Sequence, residues 1–127
     1  MKRLLCLLMT MFALQMGFAM AQSHLQQPSD YAVLNRTQQL IDVRTPAEFS
    51  EGTLENAQNI DFLADDFREK IQTLNKNEPV YLFCRSGNRS EKARNILLEE
   101  GFNEVYDLEG GYKAWTLWQE MNKEKES

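Results

Sequence analysis

The sequence predicts an α/β domain in three layers, helix–sheet–helix, with a mainly parallel central sheet. Two observations carry this. Four short apolar stretches of strand character recur along the chain, around Gln39–Val43, Ala57–Ile60, Val80–Phe83 and Glu104–Leu108. Between and after them lie segments whose apolar residues repeat at helical spacing, separated from the strands by Gly, Pro or Asn. Strands that alternate with helices are joined by crossovers, and crossovers make neighbouring strands parallel.

At 127 residues the chain supports one domain with a processed segment. Residues 1–21 have the form of a signal peptide. Lys2 and Arg3 start it, an apolar run from Leu4 to Phe18 follows, and Ala19-Met20-Ala21 gives a small-x-small cleavage site before Gln22. Cleavage there implies export, to the periplasm or outside the cell. No later apolar run is long enough to span a bilayer. Without this segment 12 basic residues face 19 acidic ones, a net charge of −7 that suits neither nucleic acid nor an anionic membrane. Cys6 leaves with it, so Cys84 becomes a single thiol in an oxidising compartment, the pattern of a reactive rather than a paired cysteine.

Residues 22–37 are polar and read as an N-terminal arm with one turn at most. His24, the only histidine, lies in it and is expected to be inert. A domain over 38–121 follows. Its first strand ends in Asp42-Val43-Arg44, and Thr45-Pro46-Ala47-Glu48 then opens a helix with a capping box and a proline at the first position. Phe49 supplies the buried side of that helix and Gly52 ends it. Asp42, Arg44 and Glu48 are expected to form one charge-linked cluster at the strand's end. Leu63, Phe67, Ile71 and Leu74 space out as a helix from 63 to 74. Gly110-Gly111 stops the strand at Leu108, and Tyr112 to Met121 forms the last helix. Residues 122–127 are a charged, fraying tail.

The most informative stretch is Val80 to Ser90. A four-residue strand runs into Cys84, and Arg85-Ser86-Gly87-Asn88-Arg89 leads into a helix closed by Gly101. A loop entering a helix points backbone N–H groups and the positive end of the helix dipole at whatever lies in front of it. A thiolate there is stabilised. Arg85 and Arg89 add guanidinium groups suited to oxyanions, and Gly87 lets the backbone curl around a sulfur held at an exposed loop mouth. With no second histidine, activation rests on the helix end and the arginines. No cluster of His, Cys and carboxylates has metal-site spacing, so neither a metal nor another cofactor is expected. In an open parallel sheet ligands bind beyond the carboxyl ends of the strands, where Cys84, Asp42-Arg44 and Gly110-Gly111 all fall.

Taken in order, Leu40-Ile41-Asp42-Val43-Arg44 with Glu48-Phe49 and Gly52, Ala57 with Asn59-Ile60, the loop Cys84 to Arg89, and Leu108-Glu109-Gly110-Gly111-Tyr112 with Trp115 resemble a single-domain rhodanese of the small exported kind. The resemblance covers about residues 38 to 118. It departs at Thr53 and Asn56, where the family often has His and Gly, in a connecting turn. It implies a thiosulfate sulfurtransferase in which Cys84 carries a persulfide, the amides of Ser86, Gly87 and Asn88 cradle it, and Arg85 and Arg89 hold the substrate anion. Asp42, Arg44 and Glu48 would support the site. The partners implied are a small sulfur donor and a thiol or cyanide acceptor, with no nucleic acid and no membrane, and the protein would act as a monomer.

Two other classes share parts of this pattern. A Cys-dependent phosphatase or arsenate reductase places five residues between Cys and Arg, whereas here four separate Cys84 from Arg89 and position 90 is Ser. A non-catalytic docking domain of the same fold has no need of a nucleophile flanked by arginines.

Overall fold

The computed structural model describes residues 23–126; the expected signal peptide, residues 1–21, lies outside the described residues. Five strands form one parallel sheet: β1 (Leu25–Gln26), β2 (Gln39–Asp42), β3 (Gln58–Asn59), β4 (Val80–Phe83) and β5 (Val105–Leu108). Their order across the sheet is β1-β5-β4-β2-β3, with every pair parallel. The helices are α1 (Pro28–Tyr31), α2 (Pro46–Glu51), α3 (Phe67–Lys70, continued as a 3-10 turn over Ile71–Thr73), α4 (Asn88–Glu99) and α5 (Gly111–Glu126).

The strands alternate their side chains between two cores. On one face Ile41, Val80, Leu82 and Val105 pack with Phe67 and Ile71 of the α3 segment and with Ala93 and Leu97 of α4. On the other face Leu40, Phe83 and Leu108 pack with Tyr31 of α1 and Trp115 of α5. The three-layer arrangement expected from the sequence is therefore present. Among the described residues no helix is long and apolar enough to cross a membrane.

Four local expectations are corrected. The described part of the expected arm, residues 23–37, belongs to the domain. Leu25 and Gln26 add an edge strand to β5, with Asp107 N–H donating to His24 O and Glu109 N–H to Gln26 O. Tyr31 is then buried, 2 % exposed, with its hydroxyl donating to Leu82 O at 2.6 Å. The tail expected from 122 is helical, because α5 runs on to Glu126. The helix expected from Leu63 starts only at Phe67, since the Asp61 carboxylate caps the Leu63 N–H in a turn and leaves Leu63 exposed. Phe49 is half-buried, and α2 has no fully buried residue.

The capping box of α2 forms as expected: Thr45 Oγ1 accepts from Glu48 N–H while the Glu48 carboxylate accepts from Thr45 N–H. Gly101, at φ +92°, follows the end of α4 in the conformation expected of it.

Candidate active site

Cys84 follows the last residue of β4, and Gly87 is the N-cap of α4 in the left-handed region at φ +113°. Nothing stands within 4 Å of where a Cβ on Gly87 would be, so glycine is needed there for its backbone conformation alone. The resulting curl turns the Gly87 N–H onto Cys84 Sγ at 3.1 Å, and Ser90 Oγ lies 3.2 Å from the same sulfur. The sulfur therefore sits in front of a 12-residue helix whose dipole favours negative charge. Cys84 is not at an exposed mouth, as the sequence reading expected; it is 1 % exposed. Arg85, Ser86 and Asn88 are exposed around it, and Gly87 is half-buried.

The loop is held from behind by the start of α5. Tyr112 N–H donates to Cys84 O at 2.8 Å and Lys113 N–H to Arg85 O at 3.1 Å. This approach is possible only because residue 111 is glycine. A Cβ there would stand 2.6–2.7 Å from the carbonyl groups of Arg85 and Cys84, and its φ is +63°.

The expected cluster of Asp42, Arg44 and Glu48 is divided in two. Arg44 binds Asp42 through Nε and Nη2, with the shortest contact 2.7 Å, donates from Nη2 to Gly52 O at 2.6 Å, and lies 4.2 Å from the Tyr112 ring centre. Both partners are buried, so this pair joins the end of β2 to the end of α2 and the start of α5. Thr53, a departure from the family pattern, donates from Oγ1 to Asp42 Oδ2 at 2.9 Å. Asn59 donates to the carbonyls of Asp42 and Arg44. Glu48 takes no part in this group. It holds Arg89 through two bonds, of 2.7 and 2.9 Å, and those bonds are the main reason its carboxyl is held down at about 2.

This changes the part given to Arg89. Expected to grip the substrate anion, its guanidinium is engaged by Glu48 and fixes α4 to α2. Arg85 makes no ion pair among the described residues and lines a cavity of about 560 Å³ together with Arg44, Tyr112 and Lys113. A second cavity, of about 460 Å³, opens on the other flank of the loop between Ser86, Gly87, Asn88 and Glu91 on one side and His24, Asp107 and Glu109 on the other. His24, read as inert, thus lies beside the site. The sequence reading gave no role to two buried polar residues, Ser90 and Asp107. Ser90 was legible as the residue after the loop, but Asp107 had no sequence signal.

An α/β domain with a buried thiol cradled at a strand–helix junction is the class that this fold and site define. The comparisons specify the family. A family model for the rhodanese-like domain matches residues 24–117, and the chain belongs to that family. That match takes in β1, in keeping with the place of residues 24–37 in the fold.

Among curated relatives, a Bacillus subtilis (strain 168) protein, YqhL, described as uncharacterized, is 39 % identical over 80 residues, covering 63 % of this chain and 62 % of that protein. An Arabidopsis thaliana protein named thiosulfate sulfurtransferase 16, chloroplastic, is 38 % identical over 85 residues, covering 59 % of this chain and 71 % of its own. The crystal structure of a rhodanese-like domain protein from Staphylococcus aureus superposes with a TM-score of 0.63 at 30 % identity, covering 72 % of this chain and 89 % of that one.

Proposed function

We propose that this chain is a sulfurtransferase that carries a sulfane sulfur as a persulfide on Cys84. The observation that carries the reading is the cradle itself: a buried cysteine at the head of α4 with a backbone N–H aimed at its sulfur. Such a site stabilises negative charge on the attacking sulfur and then on the bound persulfide. In the first half-reaction the Cys84 thiolate attacks the outer sulfur of thiosulfate or a similar donor and sulfite leaves. In the second, the persulfide hands its outer sulfur to a thiol or cyanide. The cation facing the donor is Arg85, beside Lys113, on the larger cavity.

The phosphatase reading is not favoured. A tetrahedral oxyanion needs a free bidentate arginine at the loop's end, and here both terminal nitrogens of Arg89 are bonded to Glu48. We further propose that cleavage between Ala21 and Gln22 exports the protein, which the N-terminal residue and intact mass of native protein decide.

The experiment is a panel of donors, thiosulfate among them, with cyanide and small thiols as acceptors, read by sulfite release or the corresponding leaving group. Turnover with at least one sulfane-sulfur donor is the expected result, and Arg85→Ala raises the KM for an anionic donor about tenfold with kcat little changed. Hydrolysis of phosphate esters with no sulfur transfer is the result that overturns the reading.

A further inference from the structure

The loop that holds Cys84 has a cavity on either flank, and the two differ in charge. On the larger, Arg85 and Lys113 make no ion pair among the described residues and outnumber the one unpaired carboxylate, Glu51. The smaller, of about 460 Å³, brings together three carboxylates: Glu91 of α4, Asp107 of β5 and Glu109 just beyond it. No lysine or arginine among the described residues lines it. Gly87, whose N–H donates to Cys84 Sγ at 3.1 Å, belongs to its wall, so this cavity opens beside the sulfur.

Asp107 is the member of this cavity that lacks a partner. It lies opposite Leu82 of β4, and alternation turns its side chain, with those of Leu82 and Val105, toward α4, the side on which Glu91 borders the cavity. Asp107 is 2 % exposed, and its Oδ1 has no hydrogen-bond partner. A buried carboxylate oxygen without a donor is costly, and a cation brought close recovers part of that cost. Burial pushes the carboxyl up to about 6, so at neutral pH most of it is still ionised. The neighbours do not neutralise it. Arg94 donates from Nε to Val105 O at 2.8 Å and does not line the cavity. His24 is held toward its neutral form, by burial first and then by Arg94. Glu109 accepts a hydrogen bond from the uncharged Gln27 amide. Glu91 is exposed and makes no ion pair among the described residues.

We propose that this smaller cavity is the acceptor side of the site and takes a small thiol that carries an ammonium group. The donor's anion enters against Arg85 and Lys113, and the acceptor's cation enters on the opposite flank against Glu91, with the charge of Asp107 beneath it. A volume of about 460 Å³ suits a molecule of this size. Opposite charge on the two flanks also keeps each reactant off the other's side. In the transfer step the acceptor's thiol first loses its proton to water. Its thiolate attacks the outer sulfur of the Cys84 persulfide and forms one S–S bond. The bond to Cys84 Sγ breaks with its electron pair on Cys84, and the product leaves as an aminoalkyl persulfide. The ammonium group neither gives nor takes a proton; it holds the acceptor in place. The acceptor role rests on the sulfurtransferase reading, whereas the cavity's preference for cations is a property of the resting protein.

The test uses three methanethiosulfonates that differ in the group they bring: 2-aminoethyl, methyl and 2-sulfonatoethyl. The Cys84 thiolate attacks the sulfenyl sulfur of each, a disulfide forms and methanesulfinate leaves, so the full chain reports on charge with no sulfur donor present. Rates at neutral pH are read on the Cys84 peptide by mass spectrometry, and dividing by the methyl rate removes any change in the thiolate itself. Glu91→Gln is expected to lower the aminoethyl-to-methyl ratio by about fivefold, the most that one screened charge contact gives. Asp107→Asn is expected to lower it likewise, and in both variants the sulfonatoethyl-to-methyl ratio stays or rises. A merely structural role moves all three rates together and keeps the ratios. Should Asp107→Asn fail to fold, Glu91→Gln, at an exposed position, reads the same quantity. The comparison is repeated on the persulfide form with cysteamine against 2-mercaptoethanol, where the same fall is expected. An unchanged ratio in Glu91→Gln, in either comparison, overturns the proposal. If no donor loads sulfur onto Cys84, the sulfurtransferase reading falls and takes the acceptor role with it; if sulfur is loaded and passed on while the ratios do not move, the proposal alone falls.

Discussion

Glu48 shows how much one side chain can carry. Its carboxylate closes the α2 capping box and grips Arg89, so the start of one helix is fastened to the start of another across the Cys84 loop. Because the Arg89 bonds hold its carboxyl at about 2, below the 4.5 it has when free, folding gains stability from its ionised form. That gain is complete above about pH 4.5 and disappears as the pH falls toward 2. Glu48→Gln should therefore unfold more easily at pH 7, by about 1–2 kcal/mol after allowance for partial exposure, while wild type and variant converge near pH 2. Urea titrations at the two pH values check this. Cys84 and its glycine were legible from composition and spacing, and so was the cap role of Glu48. Its grip on Arg89 was not, because the two are 41 positions apart and only the fold brings them together.

At the scale of elements, β2, β4, β5 and α4 were legible because apolar periodicity alone defines them. β1 was not. It has two residues, and backbone bonds to β5 make it a strand rather than any pattern of its own. Its continuation is nevertheless core: Tyr31→Phe, which strands the Leu82 carbonyl, should cost about 1–2 kcal/mol in chemical denaturation, whereas an unstructured arm would give no change. The end of α5 was misread because its last residues are charged, and charge marks an exposed helix face as readily as a tail. The Gly110-Gly111 turn was read as a strand breaker, and it also lets α5 approach the loop. Gly111→Ala should lower kcat by at least about tenfold and destabilise by about 1–3 kcal/mol, since backbone rather than a flexible side chain stands in the way. A variant with unchanged kcat would show that the hold of α5 on the loop is irrelevant to turnover.

For the molecule as a whole, a parallel sheet sends every strand's carboxyl end to one edge, and the site is assembled there from β2, β4, β5 and the helices that follow them. Two ion pairs that the sequence reading had assigned to one cluster and to the substrate turn out to brace that edge, which leaves Arg85 and Lys113 as the cations without an ion pair, among the described residues, on the larger cavity. The central claim is that the Cys84 sulfur itself carries the transferred atom, and intact-protein mass spectrometry after incubation with a sulfane-sulfur donor and no acceptor tests it directly. The wild type should gain the mass of one sulfur atom, located on the Cys84 peptide and lost on adding cyanide or a thiol. Cys84→Ser should gain nothing and transfer no sulfur, because a serine hydroxyl holds no labile sulfane sulfur. A folded Cys84→Ser protein that still transfers sulfur, or a wild type that turns over donor without ever carrying the adduct, would contradict the account.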